Sequence, residues 1–385
     1  MRPIRLMFTL TSPTRGGVEE VVLALMQRLD PSEFVLALAA PRALLDAFAA
    51  ELPDARVATS DVQAESWFRR DDLSRLAAFM DEFRPDVVNA HLFRSTAVAA
   101  PLAKLRGVRA VVETYHGREG WRRGFPRGSF LPDRLVSLTV DRVIAVSEAA
   151  RRFLVRGKGY PAHKIVVVPN GRDLARFRPG AHRGEGRAEL GLDPTAPVVG
   201  VLGRLETQKG HTYLLTAWSS VVSEFPDARL LVVGAGTLRA DLERQARELG
   251  VAGSVIFVGF RADVPRMLDT IDVLALPSLY EGMPLTAIEG SAMARPVVAT
   301  AVDGTPEVIR DGLTGILVPP ADPSALATAL IRALRDRAAT ERMGRAGRDY
   351  VLSRFSLTRQ VEATARVYRT VAGRGADRHT AVAAA

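Results

Sequence analysis

The stretch DVLALPSLYEGMPLTAIEGSAM, Asp272 to Met293, limits the fold of this chain more than any other. Its apolar run from Val273 to Leu276 is too short for a helix and apolar on both faces of a strand. Such a strand needs cover above and below, which places it in a parallel sheet flanked by helices. Pro277 to Gly282 turns the chain, and Pro284, with no amide hydrogen to waste, suits the first turn of a helix. Glu281 then falls in the strand-to-helix loop, and Glu289 lies over a turn into the helix. At the carboxyl ends of parallel strands, unpaired amides and the helix dipole favour anions. A carboxylate beside them suits sugar hydroxyls, a ribose diol matching a planar two-oxygen acceptor. The plainer alternative is one helix-capping and one solvated glutamate.

A second strand-loop-helix unit lies upstream, VVGVLGRLETQKGHTYLLTAW. Its strand ends at Gly203, and Arg204 and Lys209 flank a short polar loop that opens a helix. A planar guanidinium and a mobile ammonium at a strand end suit a diphosphate. Only four residues of the chain are lysine, Lys104, Lys158, Lys164 and Lys209, against a large excess of arginine, which makes a lysine here informative. An ordinary solvated connection is the alternative. VVGAGTLRADL invites a dinucleotide reading, but the third glycine is missing and no acidic residue is suitably placed downstream. Gly234 and Gly236 are therefore read as a turn at a strand end.

Strand and helix patterns alternate along the rest of the chain. Strand-like Ile4 to Leu10 leads through Gly16-Gly17 into a helix from Val18 to Leu29; Phe34 to Ala40, a helix over Leu73 to Phe83, and Asp86 to Ala90 follow. His91 and His116 each stand at a strand end, where the crevice of an α/β sheet forms, although a lone histidine there is often structural. GREGWRRGFPRGSF reads as a loop. Asp141 to Val146 reads as a strand, Ser147 as the cap of a helix to Arg156, and Ile165 to Val168 as the last strand of a first domain, residues 1–172. Residues 173–195, with Pro179-Gly180 and a charged run, read as a linker before a second domain over 196–355. Helical patterns then start at Pro323, Thr340 and Ser356, and residues 372–385 read as a disordered tail.

Composition excludes several classes. The absence of cysteine removes disulfides and thiolate chemistry. No apolar run is long enough to span a bilayer, and RPIRLMFTLTSPTRGG reads as a first strand better than as a leader, so cytoplasmic residence is expected. Net charge is +9, and Arg118 to Lys158 holds ten basic and four acidic residues, a surplus of six. An anionic lipid surface, a phosphorylated substrate or nucleic acid would suit that surplus. No nucleic-acid-binding signature accompanies it, so no nucleic acid is expected as partner.

GRLETQKG, VGAG, FVGF and the Glu281/Glu289 pair within SLYEGMP, in this order, resemble the retaining family-4 glycosyltransferases of the GT-B fold. The resemblance runs from the loop near residue 16 to the helix near residue 370. Many members carry Phe-Gly where this chain has Met283-Pro284, and a small-Met-small run where it has Gly290-Ser291-Ala292, which bears on sugar identity. The resemblance implies two doubly wound Rossmann-like domains facing across a cleft, with a C-terminal helix over 356–371 crossing back to the first. It implies a nucleotide-sugar donor and a lipid-linked, saccharide or small-molecule acceptor, with no further cofactor. It assigns catalysis to His116, Arg204, Lys209 and Glu281. It assigns donor contacts to Gly203, Gly259, Phe260, Arg261, Gly282, Met283, Pro284, Leu285 and Glu289, the Gly259-Phe260-Arg261 backbone meeting the base. Gly16, Gly17 and His91 fall to an acceptor or phosphate loop. No Asp-x-Asp pair occurs, so Arg204 and Lys209 are expected to neutralise the leaving group without a metal. A sugar-nucleotide epimerase and a silent sugar-nucleotide-binding protein remain the alternatives. Arg122, Arg123 and Arg127, with Trp121, Phe125 and Phe130, form a candidate contact with an anionic membrane in the 117–130 loop.

Overall fold

The computed structural model describes residues 2–53, 57–61, 70–118 and 130–373. It divides into two units, the chain up to Asn170 together with the chain from Thr358, and Gly171–Leu357.

In the first unit, β1 (Ile4–Thr9), β2 (Phe34–Ala40), β3 (Val57–Asp61), β4 (Val87–His91), β5 (Ala110–Tyr115), β6 (Arg142–Ala145) and β7 (Ile165–Val167) form one sheet. Its order is β3-β2-β1-β4-β5-β6-β7 and every pair is parallel. In the second unit, β8 (Val198–Leu202), β9 (Arg229–Val233), β10 (Val255–Gly259), β11 (Val273–Leu276), β12 (Val297–Thr300) and β13 (Gly315–Val318) run β10-β9-β8-β11-β12-β13, again all parallel. Both sheets are doubly wound, as expected. The order reverses between β1 and β4 and between β8 and β11, and in such sheets ligands bind beyond the strand ends at that reversal.

The short apolar strands are covered on both faces. All four residues of β11 are buried, as are all five of β8. Trp218 fills the second core and donates its indole N–H to Ser254 Oγ at 2.9 Å, so its one polar atom is satisfied. In the first unit Met7, Val88, Val111 and Val143 of four adjacent strands share one core. The helix Leu357–Val371 brings Tyr368 into that unit, edge-on to Phe8 and Phe34. Its hydroxyl accepts from Asn89 Nδ2 at 2.6 Å, and Asn89 Oδ1 accepts from Thr114 at 3.0 Å.

Two expectations need correction. The segment 173–195 is part of the second unit, not a linker. Its helix Arg183–Glu189 buries Arg187, whose guanidinium meets Asp272 at 2.9 Å, and the amides of Gly180 and His182 donate to the buried Asp269 carboxylate at 2.8 and 2.7 Å. Arg187 of the charged run that read as linker is thus paired inside. The helix capped by Ser147, whose Oγ accepts from Ala150 N at 3.0 Å, is α-helical only to Phe153. It widens into a π turn over Leu154–Lys158, and the Lys158 ammonium meets Asp133 at 2.7 Å with both side chains buried. Strand β3 and the helices Arg42–Phe48 and Leu92–Leu105 lacked a clear sequence pattern. Most of the expected tail and of the 117–130 loop lies outside the described residues.

Candidate active site

In the second unit the loops after β8 and β11 leave neighbouring strands at the reversal of strand order. They are stitched together: Leu279 N donates to Gln208 O at 2.8 Å, and Gln208 Nε2 donates to Tyr280 O at 3.0 Å. Gly210 has φ +66°, and a Cβ there would lie 2.0 Å from Pro277 O, so only glycine permits this approach. Gly234, φ +145°, supports the first loop from behind; a Cβ there would lie 1.9 Å from Gly203 O. The glycines of VVGAG thus serve backbone against backbone.

This stitching sets two side chains against each other. Lys209 ends a short 3-10 turn, Thr207–Lys209, and its Nζ donates to Glu281 Oε1 at 2.6 Å. Ser278 Oγ donates to the same oxygen at 2.8 Å, and Glu281 N donates to Asp303 Oδ2 at 3.0 Å. Glu281 Oε2 accepts from none of the described residues. Arg204 is exposed on the same loop, its Nη2 3.4 Å from Gln208 Oε1, and Gly203 precedes it at the end of β8. The helix His211–Glu224 begins directly after Gly210, so its first amides open at the loop that carries Lys209.

The remaining donor candidates fall in two places. Gly282 and Met283 are buried between Glu281 and the helix, Pro284 is the N-cap rather than a first-turn residue, and Leu285 starts the helix Leu285–Ala292. Glu289, buried in that helix, is held by Arg172 Nη2 at 2.6 Å. Gly259 ends β10 with φ +85°, and Phe260 is 75% exposed. Arg261 is engaged by Asp263 at 2.6 Å and Glu189 at 2.6 Å, which leaves its backbone rather than its charge for a ligand.

In the first unit Gly16 caps the helix Gly17–Arg28, and Gly17 is exposed. His91, the last residue of β4, is fully buried. Its Nδ1 lies 2.8 Å from Nε2 of His116, which follows β5, with the ring centroids 5.1 Å apart and the ring planes inclined by 25°. Burial pushes His116 down to about 3; burial and the neighbouring His116 hold His91 well below the usual imidazole range. Both rings are neutral near pH ~7.

Sequence reasoning missed Arg172, Ser278, Gln208 and Asp303. Asp303 carried a signal, standing beside the glycine of the loop after β12, and has φ +41°, an uncommon conformation for aspartate. His211 was also passed over; it is buried at the start of its helix, and burial with the nearby Lys209 pushes it down to about 4.

Comparison with known proteins places this geometry. A model described as "Glycosyltransferase Family 4" matches residues 15–176, and one described as "Glycosyl transferases group 1" matches residues 196–336. The chain is 34% identical over 275 residues to the GDP-mannose-dependent alpha-(1-6)-phosphatidylinositol monomannoside mannosyltransferase of Mycolicibacterium smegmatis, covering 67% of this chain and 70% of that protein. It is 26% identical over 284 residues to the UDP-Gal:alpha-D-GlcNAc-diphosphoundecaprenol alpha-1,3-galactosyltransferase of Escherichia coli, covering 72% and 73%. Anabaena HepE, solved in complex with UDP and glucose, superposes with a TM-score of 0.84 over 95% of this chain and 100% of that one, at 20% identity. At that identity the likeness speaks for the fold alone.

The histidine pair gives a test of its own. Imidazoles of the unfolded chain titrate near ~6.5, while the buried pair stays neutral to far lower pH. Below ~6.5 the unfolded state therefore binds protons that the folded state does not, and stability falls as pH drops. Between about pH 7 and about pH 5, His116→Gln should lose roughly 1–2 kcal/mol less than the parent in denaturant titrations. Equal losses would show that His116 is not held neutral.

Proposed function

From the premise that the chain belongs to Glycosyltransferase Family 4 and is a glycosyltransferase of the GT-B fold, we propose that it is a retaining, metal-independent hexosyl- or related transferase. It moves a sugar from a nucleotide-sugar donor to an acceptor hydroxyl in the synthesis of a glycolipid, cell-envelope polysaccharide or glycoconjugate. The observation that carries this reading is the Lys209–Glu281 contact on two stitched loops at the reversal of strand order.

Transfer builds positive charge on the sugar ring and negative charge on the departing diphosphate. Lys209, Arg204 and the first amides of the helix His211–Glu224 receive the diphosphate. Glu281 keeps Lys209 in place through Oε1 and offers Oε2 to donor-sugar hydroxyls. Glu289, oriented by Arg172, accepts from the ribose, and the Gly259-Phe260-Arg261 backbone meets the base. His116 contacts the transferred sugar and, being neutral, does not oppose the charge forming on it. Gly16 and Gly17 line the acceptor or its phosphate. In the retaining course the acceptor oxygen bonds to the anomeric carbon on the face from which the phosphate leaves. The acceptor proton passes to the leaving phosphate oxygen.

Lys209→Ala should leave the protein folded and lower kcat by about two orders of magnitude, the scale of one lost oxyanion donor. Glu289→Gln should instead weaken nucleotide binding by roughly 1–3 kcal/mol. Parent-like turnover in the lysine variant, measured with UDP-, GDP- and ADP-sugars in the presence of a chelator, would remove Lys209 from the site.

The reading includes a cytoplasmic protein with peripheral contact to an anionic membrane. Leu131, Leu135 and Leu138 are 60%, 58% and 74% exposed, spaced for one face of the helix Leu131–Ser137 and its first following residue. They follow Arg122, Arg123 and Arg127, which lie outside the described residues and would add about 1 kcal/mol each near an anionic surface. No helix among the described residues is long and apolar enough to cross a membrane. Changing the three leucines to serine should reduce co-sedimentation with vesicles of anionic phospholipid at low salt. If the unaltered protein ignores such vesicles, the membrane contact is wrong.

A further inference from the structure

The two rings of the histidine pair differ in exposure, His91 being fully enclosed and His116 half-buried. Strands β4 and β5 are paired in parallel, His91 facing Thr114 in register, so His116 follows two residues after that pair. The rings meet edge to edge through a single hydrogen bond of 2.8 Å, with Phe8 closing against His91 at 5.9 Å. Two cationic rings at this distance would repel, and burial disfavours either charge. One proton therefore lies between the two nitrogens, and it belongs to one ring or the other.

The far side of His91 decides which. Its Nε2 is fully enclosed and has no hydrogen-bond partner among the described residues. If His116 Nε2 carried the shared proton, His91 would have to bear its own on Nε2, as a buried N–H donor with nothing to accept it. Orphaned buried N–H groups are rare because the whole desolvation cost of the donor is left uncompensated. If His91 Nδ1 carries the proton, Nε2 holds only a lone pair, which is the less costly group to leave unpaired. His116 then accepts at Nε2 and must bear its own proton on Nδ1. That nitrogen has no hydrogen bond to any described residue.

We infer that His91 is a positioning residue that fixes the tautomer of His116, so that His116 presents Nδ1–H as a hydrogen-bond donor to a hydroxyl of the transferred sugar. Leu92, immediately after His91, adopts φ +68°, an uncommon conformation for leucine, where the chain passes from β4 straight into the helix Leu92–Leu105. The backbone there holds the His91 ring at the strand end despite that local cost. The assignment rests on the reading that His116 meets the donor sugar, and the two can fail separately.

Long-range proton–nitrogen NMR on protein labelled with nitrogen-15 in histidine tests the tautomer without any substrate. Both rings should show the proton on Nδ1; a proton on His116 Nε2 overturns the inference. Substitutions then test its consequence. In His91→Asn the amide nitrogen stands close to where Nδ1 stood and still donates, so kcat should stay within about threefold of the parent. In His91→Leu the donor is lost, and kcat should fall about tenfold or more, the usual scale for an outer-shell partner, with nucleotide affinity unchanged. In His91→Asp the carboxylate accepts from His116 Nε2 instead, which should move the His116 proton in the spectrum and also lower kcat. A merely structural role would make the three variants follow their melting temperatures, and that result rejects the inference. Should His116→Ala itself retain parent turnover, the sugar-contact reading fails, while the tautomer seen by NMR would still stand.

Discussion

The second unit depends on one close approach, between the loops that leave β8 and β11. Gly210 passes Pro277 at a distance that excludes any side chain, and Gln208 ties the two loops by backbone and side chain together. Without that approach Lys209 and Glu281 would sit on separate solvated turns. With it they form a part-buried contact whose carboxylate is further held by Ser278 and, through its backbone, by Asp303. The ion pair need not add stability to matter, since burying two charges costs about as much as their attraction returns. Its consequence is direction: an ammonium whose position is set before any anion arrives.

A comparable logic holds in the first unit, with neutral groups in place of charged ones. The end of β4 and the residue after β5 bring two imidazoles together, and burial keeps both uncharged. Each unit thus presents its chemistry beyond the carboxyl ends of its central strands, where a doubly wound sheet leaves a crevice. The character differs with the demand. In the proposed reaction leaving-group stabilisation needs cations, whereas a contact to a sugar ring that gains positive charge is better made by a neutral donor.

Much of this was legible in the sequence, for physical reasons. A four-residue apolar run bounded by turns cannot bury both faces except in a parallel sheet, so β8 and β11 were readable, and with them the loops that carry Lys209 and Glu281. The Ser147 cap was readable because a hydroxyl three residues ahead of a free amide is a local signal. What escaped was non-local. Arg172 reaches Glu289 from a turn that read as the end of the first domain, and Arg187 lies buried among backbone carbonyls and Asp272 in a segment that read as a linker. The π turn before Gly159 escaped for the same reason, since it answers to a buried Asp133 from another helix. Hydrophobic periodicity records which face is buried; it does not record where a long polar side chain finds its partner.

A crystal structure of the protein with a bound nucleoside diphosphate tests the central claim most directly. Diphosphate oxygens should lie within hydrogen-bond distance of Lys209 Nζ and the first amides of the helix His211–Glu224, with the ribose hydroxyls on Glu289. A nucleotide seated away from the β8 and β11 loops, with the Lys209–Glu281 contact untouched, would contradict it.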